Sequence, residues 1–254
     1  MIQFGLLSQK MIDVYQCTIT QYWLNTSKGE GMNEIDILRW VHILAMVYWL
    51  GGEWGVFQSS YNVVNHKLSM DERRRHMETA YRIDLLARIG ITLMLPLGLQ
   101  MGYYYGFVPF MEGWLSVMWF FFLGILLTEV MAFYYRETDR GITLGKIVEI
   151  SRYIQIGFLL GLGGMGLLNL GPVDVSGGYW YPAKMVTFGV MLIIGLLLRF
   201  VMREWTILFR VLATGPNAEA EAQLDSSISK ARIMAYFYWV GIAGTGFLGA
   251  VKPF

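Results

Sequence analysis

The sequence predicts an all-α integral membrane protein with six transmembrane helices, and three observations predict it. Of 254 residues, 55% are hydrophobic and only 15% charged, where a soluble domain carries nearer a quarter charged. The charges are bunched, leaving six apolar runs close to the ~20 residues that cross a bilayer. Basic residues also fall in alternate connections between those runs, as they do when Lys and Arg stay on the cytoplasmic side.

Residues 1–34 read as an N-terminal arm ahead of a helical bundle over 35–254. Ile12, Tyr15, Ile19 and Tyr22 share one helical face of the arm. That face suits an interfacial amphipathic helix or a partner-binding segment. The opening "MIQFGLLSQKMIDVYQ" lacks a basic region, apolar core and small-residue cleavage site, so no removable signal peptide is expected.

The first span is 38–64, built on "WVHILAMVYWLGGEWGVF". The second, 81–105, ends in Tyr103, Tyr104 and Tyr105, and the third, 114–135, in Tyr134 and Tyr135. Such clusters belong at the headgroup level. The fourth, 153–170, is short and contains "GLGGMG", whose flat surface permits close helix packing or leaves room for a macrocycle or lipid tail. The fifth, 183–202, follows Tyr179, Trp180 and Tyr181; the sixth is 233–251.

Lys67, Arg73, Arg74 and Arg75 fall in the first connection. Arg136, Arg140, Lys146 and Arg152 fall in the third, and Arg203, Arg210, Lys230 and Arg232 in the fifth. The second and fourth, 106–113 and 171–182, have no Lys or Arg. Connections 65–80, 136–152 and 203–232 are therefore expected in the cytoplasm of a bacterial inner membrane, with both termini on the outer, periplasmic side. A net charge of +1 gives no reason to expect a nucleic-acid partner. One cysteine, Cys17, excludes an internal disulfide and a Cys-based cluster. The sixteen methionines lack the repeated spacing of a copper site and read as packing residues.

Ionisable side chains in hydrocarbon need a partner or a purpose. His42 lies about one turn below the outer edge of the first span, level with Lys184 at the start of the fifth. Glu53 is on the same face as His42, about 16 Å deeper. Arg88, Glu129 and Arg199 are expected at a similar inner depth. This inner layer reads as ion pairs fixing helix register, Glu53–Arg88 and Glu129–Arg199, with Asp84–Arg88 as a local alternative, or as a proton relay. His42 reads as a hydrogen-bonded interfacial histidine or as a haem ligand. His66 would lie about 36 Å along the same helix, so no second histidine of this chain can clamp that haem. Lys184, a methionine, a water or a partner chain would be its other ligand.

The first span, His42 then "ILAMVYWLGG" with Trp49 before Leu50-Gly51-Gly52, resembles the opening helix of the membrane protoporphyrinogen oxidases called HemJ and of their CopD-like relatives. "WYPAK", Trp180 to Lys184, is similar to the Trp-x-x-x-Lys of a later HemJ helix, and "VKPF", Val251 to Phe254, to the HemJ C-terminus. The resemblance spans 40–105 and 180–254 and implies a four-helix core plus an inserted helix pair. It further implies haem b at His42, with Lys184 as its functional partner. Trp49 is expected beside that cofactor, and Lys184 with Glu53, from the proton-relay reading, are the catalytic groups expected. Pro182 stands where HemJ usually has His, and "GLLLRF" replaces a later aromatic–His pair.

The function expected is that of a membrane redox protein passing electrons to quinone. The alternative is a non-catalytic subunit of a respiratory, oxygenase or photosynthetic complex, which the lost histidines would suit. Membrane lipids and other membrane chains, or further copies of this one, are the partners expected.

Overall fold

A computed structural model describes residues 33–136 and 138–254. The expected arm, with Ile12, Tyr15, Ile19 and Tyr22, lies outside the described residues except for its last two. The chain divides into two units, Met1–Leu38 and Arg39–Phe254, of which the second is the helical bundle. The described helices are α1 (Glu34–Val63, from Arg39 onward in the second unit), α2 (Met70–Tyr104), α3 (Leu115–Tyr134), α4 (Asp139–Leu167), α5 (Trp180–Leu212) and α6 (Ala218–Val251). A 3-10 turn, Pro109–Met111, lies between α2 and α3, and no strand occurs among the described residues.

Five helices, α1, α2, α3, α5 and α6, are long and apolar enough to cross a membrane. The fourth expected span falls short for a compositional reason. The chain of α4 substitutes glycine for aliphatic side chains and carries Ser151, Arg152 and Gln155, all buried.

The expected loops 65–80, 136–152 and 203–232 are largely helix, and this corrects the sequence reading. The connections contract to 64–69, 135–138 and 213–217. An apolar run marks the hydrocarbon slab, whereas backbone hydrogen bonding continues wherever the helix end is satisfied. Polar side chains satisfy it here. Ser69 and Glu72 form a reciprocal capping box at α2, with Ser69 N–H donating to Glu72 at 2.9 Å and Glu72 N–H to Ser69 Oγ at 3.3 Å. Thr138 caps α4, and Asn217 Oδ1 accepts from Ala220 N–H at 2.9 Å to cap α6. Each such cap stabilises its helix by about 1 kcal/mol. Helices α3 and α5 have the aromatic residues Trp114 and Tyr179 at their N-cap positions, and neither makes a side-chain cap.

Sequential helices pack side by side from α2 to α6. α1 crosses α2 at Gly90, where a Cβ would stand 2.5 Å from the Ala45 carbonyl oxygen. Only glycine allows two backbones to meet so closely. α4 meets α5 in the same manner at Gly163, whose Cβ would lie 2.9 Å from Val186. Trp49, 0% exposed, then locks α1 to the last two helices. Its indole meets Phe188 edge-on at 5.5 Å and donates to the Tyr238 hydroxyl at 3.0 Å.

The capped end is closed by a clamp around Arg73, only 2% exposed. Its Nε donates to the Val63 carbonyl at 2.7 Å, and its two terminal nitrogens to Glu221 at 2.7 and 2.9 Å. His66 adds contacts to Glu221 at 3.4 Å and Asp225 at 3.0 Å. Beneath the clamp lies an apolar plug that includes Val63, Leu208, Phe209 and Leu224.

Candidate functional site

Polar side chains inside the bundle form two groups. The first gathers around His42. The backbone of α1 turns this imidazole inward, and both ring nitrogens are buried without a hydrogen-bond partner. Its Cε1 lies 3.5 Å from where a Cβ on Gly98 would be, so the ring rests against bare backbone of α2. The Tyr181 hydroxyl donates to the Gly98 carbonyl at 3.3 Å and stands over Gly102. Lys184, about one turn further along α5, is close enough to interact electrostatically with His42. Its ammonium occupies the space a Cβ on Gly249 would need, 2.6 Å away. No hydrogen bond joins His42 to Lys184; the two lie within electrostatic range of each other, near Gly98, Gly102 and Gly249.

The chain's last residues close over the same end of α5. Lys252 adopts φ 51° at the end of α6, and the Phe254 carbonyl accepts from Trp180 N–H at 3.1 Å. The Lys252 ammonium lies 5.2 Å from the Trp180 ring centroid. His42, the Trp180–Lys184 segment and the Val251–Phe254 segment therefore meet at one end of the bundle.

The second group lies deeper. Glu129, 3% exposed, receives Arg152 at 2.8 Å and the Thr92 hydroxyl at 2.7 Å. Arg152 also donates to Thr92 at 2.6 Å, which closes a three-sided network across α2, α3 and α4. Pro96 has no N–H to donate to the Thr92 carbonyl one turn back. Asp84 pairs with Arg88 one turn away. The sequence reading had paired Glu53 with Arg88 and Glu129 with Arg199. The structure gives Arg88 to Asp84, the local alternative, and Glu129 to Arg152, because α4 begins early enough to bring Arg152 into the layer; Glu53 is left without an ion pair to any described residue. Arg152 had been assigned to a loop.

Glu53 and Arg199 make no ion pair or hydrogen bond with any other described residue, although both line one cavity of about 60 Å³. Trp49 lies one turn from Glu53 and two from His42, and it is taken up by packing on Phe188 and Tyr238. His42 and Lys184 therefore lie toward one end of the bundle, and Glu53 lies in the deeper group.

Sequence reasoning missed Thr92, Gln155, Tyr181 and Tyr238. A signal was available for some of them. Ser151, Arg152 and Gln155 continue the helical period of the fourth apolar run backward, and Thr92 lies one turn beyond Arg88. Tyr181 and Tyr238 had been or would be read as belt and packing aromatics.

A haem demands an imidazole nitrogen that is neither protonated nor already bonded, in a site screened from water. His42 meets the first requirement through its two unpartnered nitrogens and the second through burial. The donor chemistry therefore fits haem iron. Among the described residues no group of three or more His, Cys, Asp or Glu side chains is placed to hold a bare metal ion. No protein-family model, curated protein or solved structure matches this chain.

Proposed function

We propose that this chain is an integral protein of a bacterial inner membrane that binds haem b at His42 and serves in redox chemistry of the HemJ or CopD type. The observation that carries the reading is the buried imidazole of His42 with both nitrogens unpartnered. An imidazole left so in a folded interior loses about 1–3 kcal/mol per unmet polar group. Ligation would recover that loss. Six spans with both termini outside complete the proposal, α4 crossing by virtue of burying Arg152 against Glu129. The apolar exterior supports it, since Phe120 is 84% and Val240 73% exposed, which suits hydrocarbon and not water.

Bound haem would supply one-electron chemistry, and quinone, being lipid-soluble, is the acceptor proposed. The chain's own residues would do the holding. One nitrogen of His42 would ligate iron. The Lys184 ammonium would offset a propionate or substrate carboxylate, or serve as the second ligand once deprotonated. Trp49 would hold the floor of the site by fixing α1 against α5 and α6. Glu53, in the deeper group, would supply protons and not ligate.

The test is an absorbance spectrum of gently extracted protein, followed by the pyridine hemochrome assay. The expected result is a Soret band that His42→Ala abolishes and Lys184→Met shifts. Protein that is folded and free of haem would overturn the redox reading. The alternative, a non-catalytic subunit of a larger membrane complex, would then be the one left, and co-migration with partner chains on a native gel would support it.

A further inference from the structure

Two cavities meet at Glu53. The first, about 60 Å³, is lined by Glu53, Asp84, Arg88, Glu129, Arg152 and Arg199, among others. The second, about 50 Å³, shares Glu53, Leu198, Met202 and Tyr238 with the first. It continues along three helices in one direction: past Ser60 on α1, Trp205 on α5 and Arg232 on α6. That is the direction of the capped end. The Arg232 Nε atom is buried without a partner, and its guanidinium covers the Tyr61 ring at 4.1 Å.

Such walls favour water. Glu53 and Arg199 face one cavity with no ion pair or hydrogen bond from any described residue, and a charge so placed in a bilayer interior needs water if it has no partner. Each cavity has room for about four waters, and the polar walls offer them the partners an ordered water requires. The first pair of charges, Asp84–Arg88, and the second, Glu129–Arg152, are already matched. Only Glu53 among the three acids of this layer remains without a cation at ion-pair distance.

We infer that the two cavities form one hydrated chamber, reached from the capped end past Arg232, and that Glu53 is the group in it that takes up and releases protons. A hydronium ion at the capped-end mouth passes its proton along the water chain to the Glu53 carboxylate and is left as water; release runs the same transfers in reverse, so the proton is the one species exchanged with the aqueous phase. Beside Glu53, the first cavity is lined by Asp84 and Arg88 from α2, Glu129 from α3, Arg152 from α4, Arg199 from α5 and Tyr238 from α6, and the second by Arg232 from α6. The inference stands on this chamber alone and does not need haem at His42.

Infrared difference spectra between high and low pH, on the full chain in lipid, test the proton site. A carboxylic-acid carbonyl band should appear on acidification, shift in heavy water, vanish in Glu53→Gln and persist in Glu129→Gln. A band that survives Glu53→Gln, or that ignores heavy water, overturns the assignment. Hydration is tested separately in a Cys17→Ser background, which covers the case of a Glu53 variant that does not fold. Met202→Cys and Leu198→Cys should react with a charged, membrane-impermeant thiol reagent at least tenfold faster than the outward-facing Leu197→Cys and Val240→Cys. Equal rates would show a sealed or empty chamber and sink the proposal.

Discussion

At the scale of single residues, the network of Thr92, Glu129 and Arg152 sets the strongest expectation. Removing one member of a buried ion pair leaves the other uncompensated, which costs about 3–5 kcal/mol. Glu129→Ala should therefore lower stability by that amount in detergent unfolding. Glu129→Met with Arg152→Met, which removes both charges and keeps volume, should recover most of it. Equal losses in the single and double variants would refute the network as drawn. The Arg73 clamp makes a pH prediction. Two hydrogen bonds from Arg73, then its charge, hold the Glu221 carboxyl below its ordinary value. A carboxyl whose value is depressed on folding contributes stability that is fully present above its unfolded value, ~4.3, and is lost as pH falls through the lower folded value. Thermal unfolding should become easier with acidification below about pH 4.3, and Glu221→Gln should flatten that dependence. His42 was legible as an anomaly because imidazole is rare in this chain, whereas Arg73 and Arg152 were not. A cation beside an apolar run looks the same in sequence whether it ends in water or turns inward to a carboxylate.

At the scale of helices, the apolar runs located every element and misjudged most of the ends. Hydropathy reports where lipid begins, and a helix obeys its caps. Ser69, Thr138 and Asn217 were each readable as start signals, and together they would have shortened the expected loops. Of the "GLGGMG" glycines, Gly163 and Gly166 are contact surface against α5, whereas Gly161 and Gly164 meet nothing within 4 Å. Gly90→Val illustrates such a contact: the new side chain would strike the Ala45 carbonyl and the Trp49 backbone. Overpacking of this sort costs about 1–3 kcal/mol, and the Soret band, if haem is bound, should weaken with it because α1 also positions His42. Gly124→Val, where a Cβ meets nothing within 4 Å, should leave both thermal stability and spectrum unchanged.

At the scale of the whole molecule, the arrangement divides by chemistry along its length. One end has side-chain caps, ion pairs and short connections; the other has aromatic helix starts, the His42 group and the docked Val251–Phe254 segment. The proposed topology puts these ends on opposite sides of the membrane. Asn65→Cys and Ser176→Cys, in a Cys17→Ser background, should accordingly be labelled by an impermeant reagent from opposite faces of sealed inverted vesicles. Labelling of both from one face would break the six-span reading and return α4 to an intramembrane or surface position. The alternation of basic connections foretold the division without foretelling what the far end is for. That end depends on which side chains meet across helices, and pairing across helices leaves no periodic trace in one sequence.

The deep layer holds three carboxylates, Glu53, Asp84 and Glu129, against three guanidiniums, Arg88, Arg152 and Arg199. With all six ionised, the set has zero net charge, so a voltage across the bilayer exerts torque on it and no net force. Adding one proton leaves a single uncompensated unit in the electric field, where full displacement is worth ~2.3 kcal/mol per 100 mV. Membrane potential would then exert a net force on this layer only in its protonated form, which makes an energised membrane sensitive to the chemistry of one side chain.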